Sequence, residues 1–557
     1  MHRKVFVGIL ALLLTLTFAA GVGMAKKDTL VVGVPQEPDG LGPLFTMASG
    51  STVRGFLDYG GGQLSGTYLD NMWNVQPGLA AKVPTIEDGD WKVNKQEGTM
   101  EIHWKIREDM NWADGTPITT DYVIFVYNVA MDLKMLISSR SDLKKVDHIE
   151  KINDKEFIVH WNELHPFANQ MFMGGETLPA HKLEELWKNN KDQFINGTHW
   201  TTDYMGNGAY KIKEWVAGSH IELVKNENFF LTEPKIDRIV LKIIEDTETL
   251  KVMIRTGEVD VTIPPTIPVD TAMALEKEVN PDEIHVNYTP ATVWEHIDLN
   301  RRDFKPFRDK RVRKALVHGI DRQTLVDALF NGKQEVAHTM MAKRHPLYTD
   351  EAKEVITKYE YNPEKAKELL KEAGYTMKNG VMTSPEGTEL VINLRTTAGN
   401  RPREMALQVI QDYWKQIGVK AEIEVMPPNV LFDNNHFYRR EWPGGILFAW
   451  ISSPTSLQAL WKSEEIPTEE NGWAGQNIAG YSNPVADKMI NKMEKTMSEK
   501  RRQAYALELL KVWTDDIPSI PLWYRLNVAT WKTNIKGIKP TGAMHPDSWN
   551  CWEWEIQ

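Results

Sequence analysis

The chain has 557 residues, of which 42% are hydrophobic, 10% aromatic and 25% charged. That is ordinary globular usage and excludes a disordered, collagen-like or coiled-coil protein. Net charge is −11, from 65 Lys+Arg against 76 Asp+Glu, so the chain lacks the basic surface with which a general nucleic-acid binder neutralises phosphates. Its one cysteine, Cys551, excludes an intramolecular disulfide and a cysteine-built metal centre. The unusual feature is 20 tryptophans, a large supply of flat aromatic surface. At roughly 150 residues per domain, the length suits three or four units or two large lobes.

In chain order, residues 1–25 read as a secretory signal peptide. Arg3 and Lys4 precede the apolar run Val5 to Ala20, and Gly23-Met24-Ala25 supplies small residues before a cleavage point. The apolar run is short for a membrane span of ~20 residues. Loss of Arg3 and Lys4 leaves 63 basic against 76 acidic side chains, a mature charge of −13. No cysteine follows the run, so a lipid anchor there is not expected; a periplasmic address is.

Strand-like runs follow at Thr29 to Val34, Met100 to Ile106, Phe157 to Trp161, His220 to Val224, Ile239 to Ile244 and Glu389 to Leu394. They alternate with helical patterns, which predicts a mixed α/β protein. Asp321 is placed to cap a helix through Leu325, Val326 and Leu329 that closes at Gly332. Asn362 with Pro363 opens another that closes at Gly374, and Glu404 to Ile417 carries apolar residues at helical spacing before Gly418. Two loose stretches, Val279 to Thr292 and Asp515 to Pro521, are candidate crossings between lobes.

Motifs for catalysis are missing. There is no G-x-S-x-G elbow, Walker A loop or H-E-x-x-H helix. His160 and His165 flank Pro166, which spoils a helical ligand pair, so neither a metal nor another cofactor is expected. No pair of carboxylates stands out for acid–base work, so an enzyme is not expected, and a secreted hydrolase is the least favoured alternative.

The sequence becomes specific at Pro77-Gly78-Leu79-Ala80, Trp104-Lys105-Ile106-Arg107, Trp112-Ala113-Asp114-Gly115-Thr116-Pro117 and Asp121-Tyr122-Val123. Downstream come Gly206-Asn207-Gly208-Ala209-Tyr210, Gly257-Glu258-Val259-Asp260, Pro306-Phe307 with Arg311-Val312-Arg313, Ile320-Asp321-Arg322, and Tyr481-Ser482-Asn483-Pro484 with Asp487. In this order, over nearly the whole mature chain, these resemble the family 5 extracellular solute-binding proteins of ABC importers, the dipeptide, oligopeptide and nickel receptors. The resemblance implies a two-lobed periplasmic-binding-protein fold of the α/β class, with an enlarged first lobe, two crossover strands and hinge closure. The expected division is 26–288 for the first lobe, 289–518 for the second and 519–557 for a return to the first. It also implies an inner-membrane ABC permease as partner and a monomeric receptor.

Peptide receptors of that family carry an aspartate shortly after a tryptophan, which pairs with the ligand's ammonium. The corresponding stretch here is Phe448 to Ser456, where Trp450 matches but Ser452 and Ser453 replace the acid. Hydroxyls cannot supply a buried counter-charge, and an unpaired buried ammonium costs several kcal/mol. Glu37 is one acid that could substitute. The expected ligand is a peptide; the alternative is an oligosaccharide, whose apolar sugar faces suit tryptophan rings. Trp294, Trp450, Trp523 and Tyr524 are the aromatic candidates for ligand contact, with Trp442 and Trp473 as further tryptophans of interest.

Overall fold

Four of the six strand-like runs, Thr29 to Val34, His220 to Val224, Ile239 to Ile244 and Glu389 to Leu394, collect with other strands into one large sheet, and the other two lie in a separate sheet. The structure is a computed structural model that describes residues 28–38, 40–41, 51–57, 65–132, 134–135, 142–170, 178–432, 437, 439, 442–454, 456–471, 473, 475–542 and 546–557; the expected signal peptide lies outside the described residues. In chain order the sheet contains β1 (Thr29–Val34), β2 (Tyr210–Val216), β3 (His220–Lys225), β4 (Arg238–Ile243), β5 (Val261–Thr262), β6 (Ile284–Leu299), β7 (Val391–Thr397), β8 (Lys420–Met426), β9 (Gly444–Ile451) and β10 (Ser519–Lys532). Their spatial order is β8-β7-β9-β6-β10-β5-β1-β4-β3-β2.

Two strands hold the sheet's halves together. β6 and β10 run antiparallel from Ile284↔Lys532 to Asp298↔Ser519, with a register shift between Pro290 and Trp294. At one end β10 meets β5 through Val261↔Trp531. At the other, β6 meets β9 from Val293↔Ile451 to Leu299↔Gly445. The chain passes between the halves inside a hydrogen-bonded ribbon that begins within the stretches expected as crossings, Val279 to Thr292 and Asp515 to Pro521, but these are paired strand over 284–292 and 519–521 and not loose there. Residues from Ile284 onward are strand, because Ile284, Val286 and Tyr288 alternate in a pattern suited to a pleated surface. Pro290, which cannot donate to a ladder, is accommodated where residues 541–542 close over the ribbon: the Thr292 amide donates to the Gly542 carbonyl at 3.1 Å. Gly542 has φ +60°, and a Cβ there would sit 2.2 Å from the Pro290 carbonyl oxygen, so this close approach requires glycine.

Each half carries its own cores. A separate four-stranded antiparallel sheet (Trp91–Asn94, Thr99–Lys105, Val146–Lys151, Glu156–Trp161) packs with the helix Thr120–Met131 around Trp104, Trp112 and Phe157. The last residues pack on the first half: Trp552 and Trp554 join Leu30, Val32 and Phe56 in one core, and Ile535–Lys536 pairs with Glu555–Ile556. In the second half, the helix Arg401–Gln416 covers one face of the sheet with Leu407, Ile410 and Trp414. Trp294, Trp461 and Trp513 fill the other face. Fully burying a large apolar side chain is worth about 1.5–3 kcal/mol, and much of the chain's tryptophan is used this way: Trp104, Trp112, Trp294, Trp442 and Trp513 are essentially fully buried.

Candidate functional site

The parallel strands β7 and β9 both end at the junction of the two halves, and β6 enters the second half at the same level. Trp450 pairs with Trp294, and Trp294 with Tyr524. Cross-strand partners share a face of the sheet, so these three side chains form one row. The strands bring the three together, but their surroundings differ. Trp294 is wholly buried, stacked on His296 at a ring separation of 4.0 Å and 18° and edged by Trp513 at 5.7 Å. The Tyr524 hydroxyl donates to the Thr339 and Met341 carbonyls at 2.9 and 3.0 Å, and burial raises its pKa. Trp450 is half-buried and set edge-on to Phe448 at 5.1 Å. Trp523, one residue earlier on β10, is buried against Phe330 at 5.3 Å. Of these four, Trp450 and Tyr524 keep part of their surface accessible, and Tyr524 has its hydroxyl engaged.

Just beyond β9, the two serines have unlike roles. Ser453 and Ser456 bond each other reciprocally: the Ser453 amide donates to Ser456 Oγ at 2.8 Å, and the Ser456 amide to Ser453 Oγ at 3.1 Å. This closes the start of the helix Ser456–Trp461. Ser452 donates its amide to the Thr292 carbonyl at 3.0 Å. Its Oγ is buried without a hydrogen-bond partner, and so is Thr292 Oγ1. Leaving such hydroxyls unsatisfied costs about 1–3 kcal/mol each.

Glu37 is placed elsewhere. Its carboxylate accepts from Trp215 Nε1 at 2.5 Å and from the Gly218 amide at 2.9 Å, fastening the start of the chain to the β2–β3 hairpin. Both oxygens are thus engaged within the first half.

Sequence reasoning missed the strongest electrostatic feature of the junction. Glu295, on β6 between Trp294 and His296, is buried and shared by two arginines. Arg403 Nε donates to Oε2 at 2.9 Å and its Nη2 to Oε1 at 3.2 Å. Arg525 Nε donates to Oε1 at 2.7 Å, with Nη2 at 2.5 Å from the same oxygen. Burial alone would raise the Glu295 pKa, but the Arg525 and Arg403 guanidiniums hold it down at about 2. The available signal was a charged residue inside a strand whose neighbours are buried, a placement rarely tolerated without partners; the partners themselves are distant in sequence.

The junction offers hydrogen-bonding groups, a ring edge and a charged cluster, which suit holding a ligand. Among the described residues no group of three or more His, Cys, Asp or Glu is placed to hold a metal ion. His160 instead contacts Glu150 at 3.1 Å and His165 contacts Asp142 at 3.2 Å.

Residues 74–464 match the family model of bacterial extracellular solute-binding proteins, family 5 Middle. Oligopeptide-binding protein AppA of Bacillus subtilis (strain 168) is 25% identical over 547 residues, covering 94% of this chain and 91% of the relative. Periplasmic oligopeptide-binding protein OppA of Escherichia coli (strain K12) is 26% identical over 554 residues, covering 94% and 92%. Among solved structures, the oligopeptide binding protein from Thermus thermophilus complexed with pentapeptide superposes with a TM-score of 0.80 at 25% identity, covering 96% of this chain and 97% of that one. The fold is accordingly the two-lobed α/β arrangement expected from the motifs, with β6 and β10 as its crossover strands. The chain belongs to the family 5 bacterial extracellular solute-binding proteins.

Proposed function

We propose that this protein is the extracytoplasmic receptor of an ABC importer, capturing a peptide between its lobes and presenting it to an inner-membrane permease without chemical change. The observation that carries this reading is the full-length likeness to a receptor solved with a bound pentapeptide, supported by relatives named as oligopeptide-binding proteins. In this reading the first lobe is 26–288, the second 289–518, and 519–557 returns to the first; the receptor is a periplasmic monomer released by loss of residues 1–25. Ligand lies at the junction against Trp450 and the hydroxyls of Ser452 and Thr292. Trp294 and Trp523 support this surface from within the packing, and Tyr524 through its two carbonyl contacts. Closure follows from contacts that only both lobes together can make.

A second reading, an oligosaccharide ligand, is favoured by one observation: at the strand end the family's aspartate is replaced by serines, of which Ser452 keeps an unpaired hydroxyl beside a half-exposed tryptophan. A thermal-shift panel on refolded, ligand-stripped mature protein separates the two. Di- to pentapeptides are set beside cello-, xylo- and manno-oligosaccharides. A ligand at ~100 times its dissociation constant adds about 2.7 kcal/mol, enough for a clear rise in Tm. A rise with peptides is the expected outcome; a rise with sugars alone overturns the first reading.

A further inference from the structure

Arg403 and Arg525 share one carboxylate, yet their guanidiniums are used differently. The Arg403 fork is consumed: Nε and Nη2 hold Glu295, and Nη1 donates to Thr397 Oγ1 at 2.9 Å. It is buried at the start of the helix Arg401–Gln416. Arg525 directs both Nε and Nη2 to the same Glu295 oxygen, while Nη1 has no acceptor among the described residues. Its side chain is 35% exposed. One carboxylate between two guanidiniums leaves a net charge of +1, and the accessible part of it is on Arg525.

The position of that charge gives it meaning. Arg525 follows Tyr524 directly and so lies one residue beyond the row Trp450–Trp294–Tyr524, where β6 and β10 lose regular register between the halves. Thr397 ends β7 at the same level, and the Arg401–Gln416 helix adds the positive end of its dipole. Glu295 fixes the Arg525 side chain from behind, so little of its rotamer entropy is left to lose on binding. Elsewhere the chain is acidic, with a net charge of −11, and a carboxylate approaching it is not helped by the overall field. A fixed local cation at the junction reverses that for one group of a bound molecule.

We infer that Arg525 contacts the ligand, and that the ligand presents a carboxylate to it, either a peptide C-terminus or an acidic side chain. This rests on the receptor reading above and narrows it to anionic groups. A charge-assisted Arg–carboxylate pair in a half-buried site is directional and among the stronger hydrogen-bonded contacts.

The test is calorimetry on ligand-stripped wild type, Arg525→Gln and Arg525→Lys, with matched pairs of probes. The pairs are trialanine with its C-terminal amide, Ala-Glu-Ala amide with Ala-Gln-Ala amide, and cellotriuronic acid with cellotriose. Wild type is expected to favour the acid of at least one pair by about tenfold or more, and the favoured pair tells C-terminus from side chain. Arg525→Gln should bring that pair to near equality, and Arg525→Lys should restore part of the preference. A purely structural Arg525 would change stability or all affinities together and leave the ratio alone. A ratio unchanged by Arg525→Gln, a wild type indifferent to every acid, or a folded wild type that binds no probe overturns the proposal. If only the sugar pair binds and its acid preference depends on Arg525, the peptide reading falls while the carboxylate site stands.

Discussion

At the scale of single residues, Asp547 is the clearest case of a group held against its chemistry. Its Oδ1 accepts from the Thr541 amide at 2.8 Å and from Thr541 Oγ1 at 3.0 Å, while Oδ2 is buried and unpaired. Burial pushes its pKa up to about 6, from an ordinary 3.8, despite the Thr541 bonds. The folded protein therefore binds a proton between pH 4 and 6 that the unfolded chain has released, so stability falls as pH rises through this window and is flat above it. A difference of about two pH units corresponds to about 3 kcal/mol. Asp547→Asn keeps the acceptor for Thr541 and removes the charge. Urea unfolding should show it more stable than wild type by about 1–3 kcal/mol at pH 7.5, with the advantage gone at pH 4; an equal effect at both pH values would contradict this account.

Between elements, the row across β9, β6 and β10 separates packing from recognition. Trp294→Ala opens a cavity among Trp461, Trp513 and His296 and should cost about 3–5 kcal/mol of stability. Trp450→Ala, at a half-buried strand end, should cost about 1 kcal/mol and weaken peptide binding about tenfold, the order expected when a ring is removed from a partly desolvated site. Denaturant midpoints and calorimetry with a tripeptide measure both; unaltered binding by Trp450→Ala would remove that residue from the site. The same elements show how far the sequence could be read. Asn362 and Asp321 cap their helices as expected, accepting from the Lys365 and Thr324 amides at 2.9 and 3.0 Å, because capping is written within a few residues. All six strand-like runs are strands, Thr29 to Val34 with the expected ends and the others displaced at one or both ends by one to three residues. The ribbon was less legible, since Pro290 within it looks like loop chemistry until a partner strand is present, and the turn Pro281, Asp282 and Glu283 stands directly before it. Glu37 is engaged by groups 178 and 181 residues away. Glu295 finds its arginines at separations of 108 and 230 residues. Burial and charge pairing at such distances leave no local spacing to read.

For the molecule as a whole, the two visits to the first lobe matter most. The second lobe's cores are drawn from one stretch of chain lying between the crossovers, together with the adjoining ends of β6 and β10 and one half-buried residue of the first lobe, Val269. The first lobe's main core joins Leu30 and Val32 near the beginning to Trp552 and Trp554 at the end. A chain stopped after residue 533 should keep the second lobe resistant to protease while the first is cut, and the full chain should resist in both; loss of resistance in both lobes of the shortened chain would contradict this division.

That arrangement sets an order of completion. One lobe draws its cores from a single stretch, with contacts as far apart as the 230 residues between Glu295 and Arg525, and can condense once that stretch is available, whereas the other must join residues more than five hundred apart. The cleft, which needs both walls, is therefore the last part to exist. An interrupted or clipped chain carries one finished wall and no trap, so it cannot compete with whole receptors for cargo.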